Sequence, residues 1–313
     1  MSKNIVVTGG SGALGKAVQK QIPDDYYPSR EDYDLMLMPD IERLPGNDGE
    51  TPPQIIHLAA KAGGIMDNIK RPENYFYENV MVNTQLVRWA LTNGIKRFLG
   101  ILSTCAYPDF ENCKYINGLL LKKCFPMQEN TLHEGPPAES NFAYGYAKRM
   151  MAVHIDACNE QYGTQYNYLI PCNLYSGEVY RNPDKSHFLD MLLTKIKYAK
   201  NRGTGYIELM GTGRGRRQFM LTDDFARVIK EVVDRDITES FNVCPSNNPT
   251  IREIAELALD VCDATNIEIR WNSAYPDGQL DKQASNKKMT QYLPDFRFTP
   301  LADGIRMCYE RIP

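Results

Sequence analysis

The sequence predicts an α/β protein: a doubly wound parallel sheet flanked by helices, with a smaller C-terminal α/β lobe. Three observations carry this. A short β-rich run at residues 4–8 ends in glycines and is followed at once by a helical stretch at 13–22. Residues 54–60 (QIIHLAA) form a predominantly apolar run of strand length, as expected for a strand buried on both faces of a parallel sheet. Strand-like and helix-like segments then alternate, which implies parallel strands joined by right-handed crossovers.

The elements follow in order. A weak second strand is expected at 25–29, and the polar, Pro/Gly/Asp-rich stretch 40–53 reads mostly as loop. A long helix at 74–93, a strand at 97–104, an irregular stretch at 107–142, a helix at 144–162 and a strand at 166–175 complete the first half. Later, helices are expected at 186–200, 223–234, 251–262 and 301–311, and strands at 207–210, 240–244 and 267–271. Residues 1–175 are expected as one domain, to which a segment near 220–245 returns, and 176–313 mainly as the second lobe.

Composition narrows the function classes. Hydrophobic residues make up 42% and charged residues 24% of the 313, ordinary for a globular chain that buries a sizeable core. The formal net charge of −3 provides no global positive field to draw in nucleic acid or an anionic membrane, so neither is expected as a partner. No run approaches the ~20 apolar residues of a bilayer span. The N-terminus enters a strand with no signal-peptide pattern, so a cytoplasmic location is expected. The eight cysteines include no C-x-x-C pair, and with four scattered histidines no metal spacing arises; reduced thiols are expected.

The opening turn, T-G-G-S-G-A-L-G, carries Gly9, Gly10, Ser11, Gly12, Ala13, Leu14 and Gly15. It directly follows a strand and opens a helix, the context in which glycines admit a pyrophosphate to free helix N–H groups. A Rossmann-type dinucleotide site is therefore expected. Where a ribose-binding acid would follow the second strand stand Ser29 and Arg30. A hydroxyl and a guanidinium would bind a 2′-phosphate that a carboxylate would repel, which favours NADP(H) over NAD; the alternative is a solvated loop arginine.

Tyr144 and Lys148 are four apart on an expected helix and share one face. A lysine ammonium beside a phenol would stabilise the phenolate and lower its pKa, making the tyrosine a usable acid for a carbonyl oxygen. Ser103, at the end of a sheet strand, stands where ligands bind in doubly wound sheets. Together with the glycine turn, these residues resemble the extended short-chain dehydrogenase/reductases. H-L-A-A-K-A-G-G-I (57–65), L-S-T-C-A-Y-P (102–108), the stretch 135–150, G-T-G-R-G-R-R-Q-F (211–219), D-G-Q-L-D-K-Q-A-S-N (277–286) and Y-L-P-D-F-R-F-T-P (292–300) are similar, nearly end to end, to GDP-L-fucose synthases.

That resemblance implies NADPH-dependent epimerisation at C3 and C5 of GDP-4-keto-6-deoxy-D-mannose, then reduction at C4. It implies catalytic roles for Ser103, Cys105, Tyr144, Lys148 and His187, Cys105 and His187 being the acid/base pair. Read without it, Cys105 is a core thiol and His187 a helix-terminal residue. It further implies cofactor contacts at Ala59, Leu102, Tyr144, Lys148, Pro171, Asn173, Leu174 and His187, and sugar-nucleotide contacts at Asn173, Lys195, Met210, Arg217, Asp277 and Lys282. Lys195 and Lys282 are otherwise readable as surface charges. Relatives commonly pair as homodimers through the two helices read here at 74–93 and 144–162.

Three departures bear on the sugar. Met210 stands where tryptophan is usual, P-C-N-L-Y-S-G-E-V (171–179) alters a loop bordering the sugar, and 110–125 looks like an insertion. They motivate an alternative: a C4 reductase, with or without epimerisation, of another GDP-4-keto sugar such as a heptose. A catalytically silent NADP-binding sensor is the alternative of another class.

Overall fold

The computed structural model describes residues 5–45, 54–110, 125–178 and 187–313. The chain opens with β1 (Ile5–Thr8), whose four residues are all buried, followed by α1 (Ala13–Gln21) and the one-turn α2 (Met38–Ile41). β2 (Gln54–His57), α3 (Ile65–Lys70), α4 (Pro72–Thr92), β3 (Arg97–Ile101), α5 (Phe142–Tyr162) and β4 (Gln165–Pro171) follow. After them come β5 (Asn173–Tyr175), α6 (Phe188–Arg202), β6 (Tyr206–Met210), β7 (Arg216–Arg217), β8 (Phe219–Leu221), α7 (Thr222–Asp234) and β9 (Phe241–Val243). The chain closes with α8 (Ile251–Val261), β10 (Glu268–Asn272), β11 (Asp281–Lys282), α9 (Lys287–Tyr292) and α10 (Leu301–Arg311). Among the described residues no helix is long and apolar enough to cross a membrane.

The central sheet has the order β1-β2-β3-β4-β9 and every pairing in it is parallel. Its strands are Ile/Val/Leu/Phe-rich because helices cover both faces. On the far side of β1, Tyr26 bridges Val6. The chain thus leaves β1 toward one side and returns on the other, so the sheet's switch point lies just past Thr8, where ligands of such sheets bind.

Several expectations need correction. Residues 25–29 do not form a strand: beyond the bridge at Tyr26 the ladder stops, because Pro28 has no N–H to extend it. The expected strand 166–175 is broken at Cys172, and β5 leaves the central sheet to pair with β8. β3 ends at Ile101, not 104, which frees Ser103 from the ladder. The loop expected at 40–53 begins inside α2, while 46–53 lie outside the described residues, as do 111–124 of the inserted stretch. α3 was not anticipated, and α4 begins at Pro72, where a missing N–H is harmless.

Two hydrophobic cores form among the described residues. One surrounds the central sheet and draws in α7 and, through Met289, α9. The other joins α6, α8, α10 and β6 around Leu209, Ile254 and Ile305, each fully buried. α8 is started by a capping box in which Glu253 N donates to Thr250 Oγ1 (3.1 Å) and Thr250 N donates to Glu253 Oε2 (2.7 Å).

Candidate active site

The glycine turn is packed beyond the reach of side chains. Gly9 has φ +78°, and a Cβ there would lie 2.6 Å from Ala59 N; one at Gly15 would lie 2.3 Å from Gly9 O. The turn therefore sits against the end of β2, which brings Ala59 beside it. Gly12 starts α1 with no side-chain cap and no acidic residue in the first turn. The first N–H groups of α1 are left for an anion, and at Gly12, where a Cβ would meet only Gly9 O at 3.4 Å, the backbone is open to close approach, so the turn fits a dinucleotide pyrophosphate. Ser29 Oγ donates to Asp32 Oδ2 (2.5 Å), while Arg30 is exposed and makes no hydrogen bond or ion pair among the described residues.

Beyond β3, Ser103 accepts from Cys105 N (3.2 Å) and caps a 3-10 turn at Thr104–Ala106. α5 presses directly onto this turn. A Cβ on Gly145 would lie 2.4 Å from Cys105 O and 2.8 Å from Pro137 Cβ. The buried Arg149 donates to Ala106 O through Nε (2.8 Å) and Nη2 (2.5 Å), and to Gly135 O through Nη1 (2.6 Å). Gly145 and Arg149 thus hold the Ser103–Cys105 turn against the helix face that carries Tyr144 and Lys148. Gly145→Ala is expected to cost about 1–3 kcal/mol of stability by forcing the turn away, measured by denaturant unfolding, and to lower turnover with it.

Lys148 is buried and donates to Ile101 O (2.8 Å), with Nζ 5.9 Å from the Tyr144 ring centroid. Burial pulls its ammonium down to about 8. Tyr144 goes the opposite way from the sequence expectation. Burial pushes its phenol up, and the nearby Cys105 and Tyr75 add to the rise. The reason is desolvation: the phenol lies in a pocket walled by Tyr75, edge-on at 6.2 Å, where a phenolate would lose its hydration. Tyr144 is accordingly held protonated.

Cys105 is half-buried and receives two hydrogen bonds at sulfur: from Lys282 Nζ (3.0 Å) and from Asn141 Nδ2 (2.9 Å). Burial pushes the thiol up, but the Lys282 charge, hydrogen bonds from Ser103 and Lys282, and the Arg217 charge outweigh it and hold the thiol below its ordinary value. His187 N-caps α6, its side chain making no hydrogen bond among the described residues; burial lowers its imidazole, which favours the neutral ring.

Around them lie the remaining expected contacts. Leu102 and Pro171 are buried and Leu174 partly so. Asn173 Nδ2 donates to Gln218 O (2.8 Å). Lys195 Nζ donates to Glu208 O (2.6 Å), and burial lowers its ammonium. Asp277 accepts from Thr212 N and Oγ1, both at 2.6 Å, so its carboxylate shapes the 211–214 turn; burial opposes ionisation, but these bonds hold the carboxyl below the usual range. Arg217 Nη2 reaches Asp277 O (3.4 Å). Met210 is 39% exposed and shares a face with Asn272; Trp271, one position off in register, faces the other way and does not replace the usual tryptophan. Lys282 is not a surface charge: it is 8% exposed.

Sequence reasoning missed Asn141, Gly145 and Arg149. It also missed a buried network that ties the end of β1 to α5. The His57 ring lies 2.8 Å from Thr8 Oγ1 at Nδ1 and 2.9 Å from Asn83 Oδ1 at Nε2, and Asn83 Nδ2 donates to Ala147 O (3.5 Å). Burial and the charge of Lys148 push His57 down to about 3, so it is neutral; an acceptor at Nε2 then assigns the ring proton there and makes Nδ1 the acceptor for Thr8.

A glycine turn at the switch point and a Ser-Tyr-Lys cluster past the third strand define a dinucleotide-dependent enzyme that works on a carbonyl. Residues 5–244 match the NAD dependent epimerase/dehydratase family, and the chain belongs to it. It is 30% identical to a probable GDP-L-fucose synthase of Drosophila melanogaster, over 97% of this chain and 95% of that one. A GDP-L-fucose synthetase from Naegleria fowleri bound to NADP is 27% identical with a TM-score of 0.81, over 98% of this chain and 92% of the other. A GDP-6-OMe-4-keto-L-xylo-heptose reductase from Campylobacter jejuni shares the fold, with a TM-score of 0.83 at 23% identity, over 99% and 98% of the two chains.

Proposed function

We propose that the protein converts GDP-4-keto-6-deoxy-D-mannose to GDP-L-fucose with NADP(H), epimerising C3 and C5 and then reducing the C4 ketone. The observation that carries this is Cys105: a thiol on the same turn as Ser103 that accepts hydrogen bonds from Lys282 and Asn141 and is held below its ordinary value, its charge acting on Tyr144. A simple ketone reductase needs no such base. Hydrogens on C3 and C5 are acidic because their removal places charge on the C4 oxygen. In this reading Cys105 takes the proton while Ser103 and Tyr144 donate hydrogen bonds to that oxygen. His187 takes up a solvent proton and, as imidazolium, delivers it to the opposite face, returning to the neutral ring that burial favours, while the Cys105 thiol gives its proton back to solvent. NADPH, when bound, supplies the hydride to C4. Tyr144 then protonates the alkoxide, and Lys148, anchored on Ile101 O, keeps the phenol and the ribose aligned.

Gly9 through Gly15 hold the pyrophosphate, and Ala59, Leu102, Pro171, Asn173 and Leu174 line the cofactor cleft. Arg217 and Lys195 take the GDP diphosphate, with Met210 and Asp277 bordering the nucleotide. Ser29 and Arg30 take the 2′-phosphate. Arg30→Glu is expected to raise the KM for NADPH about 10- to 100-fold, the loss of one charge-assisted contact, with little effect on NADH; an unchanged NADPH/NADH ratio would sink this assignment.

The second reading, C4 reduction of another GDP-4-keto sugar with or without epimerisation, is favoured by Met210 and by the altered loop after Asn173. Incubation with NADPH and GDP-4-keto-6-deoxymannose in D₂O separates the two: the main reading expects deuterium at C3 and C5 of the product, and reduction without label refutes it.

A homodimer belongs to the same reading. Phe142, Tyr146, Met150 and Val153 form an exposed apolar stripe along α5, beside exposed Phe76 on the adjoining α4. Val153→Glu is expected to shift the protein to a monomer in light scattering; an unchanged mass would place the contact elsewhere. A cytoplasmic site of action fits the six described cysteines, all of which are free thiols.

A further inference from the structure

We propose that Lys282 is the positioning residue that makes Cys105 a base, its ammonium holding the sulfur as a thiolate through a buried ion pair across the cleft. The inference rests on the epimerase reading and assigns Lys282 to the thiol rather than to the nucleotide.

The pairing is built into the fold. β11 lies parallel to β7, with Lys282 opposite Arg217. Just beyond it, Gln283 O accepts from Met127 N (2.8 Å), Ser285 N donates to Met127 O (2.8 Å), and Ala284 N donates to Gln218 Oε1 (2.7 Å). This clamped strap fixes the direction in which Lys282 enters the site. Its side chain is buried, and a buried ammonium needs a compensating anion. The atom it touches is Cys105 Sγ, 3.0 Å away.

The groups facing that sulfur come from four places. Ser103 belongs to its own turn, Asn141 and Tyr144 to the start of α5, Arg217 to β7 and Lys282 to β11. Arg217 acts at longer range, so Lys282 supplies the nearest positive charge. The Asn141 amide adds a second donor, which a thiolate accepts better than a thiol does. The thiolate takes a proton from C3 or C5: the S–H bond forms, the C–H bond breaks, and its electron pair moves into the enolate. When S–H later gives up its proton, the same ammonium again stabilises the sulfur anion, so nothing is consumed.

Lys282→Met and Lys282→Arg test this. In the ligand-free protein, alkylation of Cys105 by iodoacetamide is followed against pH, with Cys105→Ser as background. The wild-type midpoint should lie below the ordinary thiol value. Lys282→Met should move it up by about 1–3 units and slow alkylation at neutral pH about tenfold or more, and Lys282→Arg should restore it. With substrate in D₂O, Lys282→Met should lose exchange at C3 and C5 in kcat, with KM little changed; a pure anchor for the nucleotide would raise KM instead. An unchanged alkylation profile in Lys282→Met overturns the proposal. Should that variant not fold, the ultraviolet thiolate absorbance of wild type minus Cys105→Ser decides: a midpoint at or above the ordinary thiol value overturns the proposal. If wild type labels no sugar, the epimerase reading falls, while the thiol titration still decides the ion pair.

Discussion

Tyr144→Phe is expected to turn over about 10²- to 10⁴-fold more slowly, with cofactor affinity retained. The ring would keep its place against Tyr75, and Lys148 would keep its bond to Ile101 O, so the site keeps its geometry without the phenol hydroxyl. What is lost is the phenol that burial and neighbouring Cys105 hold protonated. NADPH oxidation measures the rate, and fluorescence titration the cofactor. A Tyr144→Phe protein with near wild-type kcat would remove Tyr144 from the mechanism. The pH dependence carries a linked expectation. Lys148 is pulled down to about 8, so its charge is present below that pH and lost as pH rises through it. If that charge serves the reaction, kcat/KM declines on the alkaline side with a midpoint near 8. Lys148→Arg, whose guanidinium does not titrate there, should remove that decline.

Cys105→Ala should abolish deuterium exchange at C3 and C5, by about 10²- to 10⁴-fold, while the 3,5-epimerised ketone is still reduced. Both halves matter. Ser103, Tyr144 and Lys148 remain in Cys105→Ala, so the C4 step should persist; only the group proposed to make the enolate is missing. NMR of the sugar protons reads the exchange, and NADPH absorbance the reduction. Exchange at the wild-type rate in Cys105→Ala would make the thiol a bystander. Loss of both steps together would mean that it supports the turn around Ser103 rather than acting as a base.

The two residues differ in how they could be found. The alternation of apolar strands and helices, the glycine turn after β1 and the Tyr144/Lys148 spacing are local patterns. Period and turn chemistry are written in neighbouring residues, so the doubly wound sheet, its switch point and a helix face carrying both side chains could be read from the chain. Strand ends were read less well. Pro28 stops a ladder where apolar composition suggested one, and Cys172 divides a run that looked continuous, because partner strands rather than the run itself decide where pairing stops.

Tertiary structure alone decided the electrostatics. The Lys282–Cys105 contact spans 177 residues of sequence and the Asn141–Cys105 contact 36, and neither has a period or motif to announce it. Gly145 and Arg149 became legible only when α5 was seen against the Thr104–Ala106 turn. The rise of the Tyr144 phenol contradicted a rule drawn from spacing, since i,i+4 proximity to a lysine says nothing about how much water each group loses. By itself, the sequence determined which side chains could do acid–base work beside a ketone. Burial and charges brought together from distant parts of the chain, which exist only in the folded molecule, raise the Tyr144 phenol and lower the Cys105 thiol.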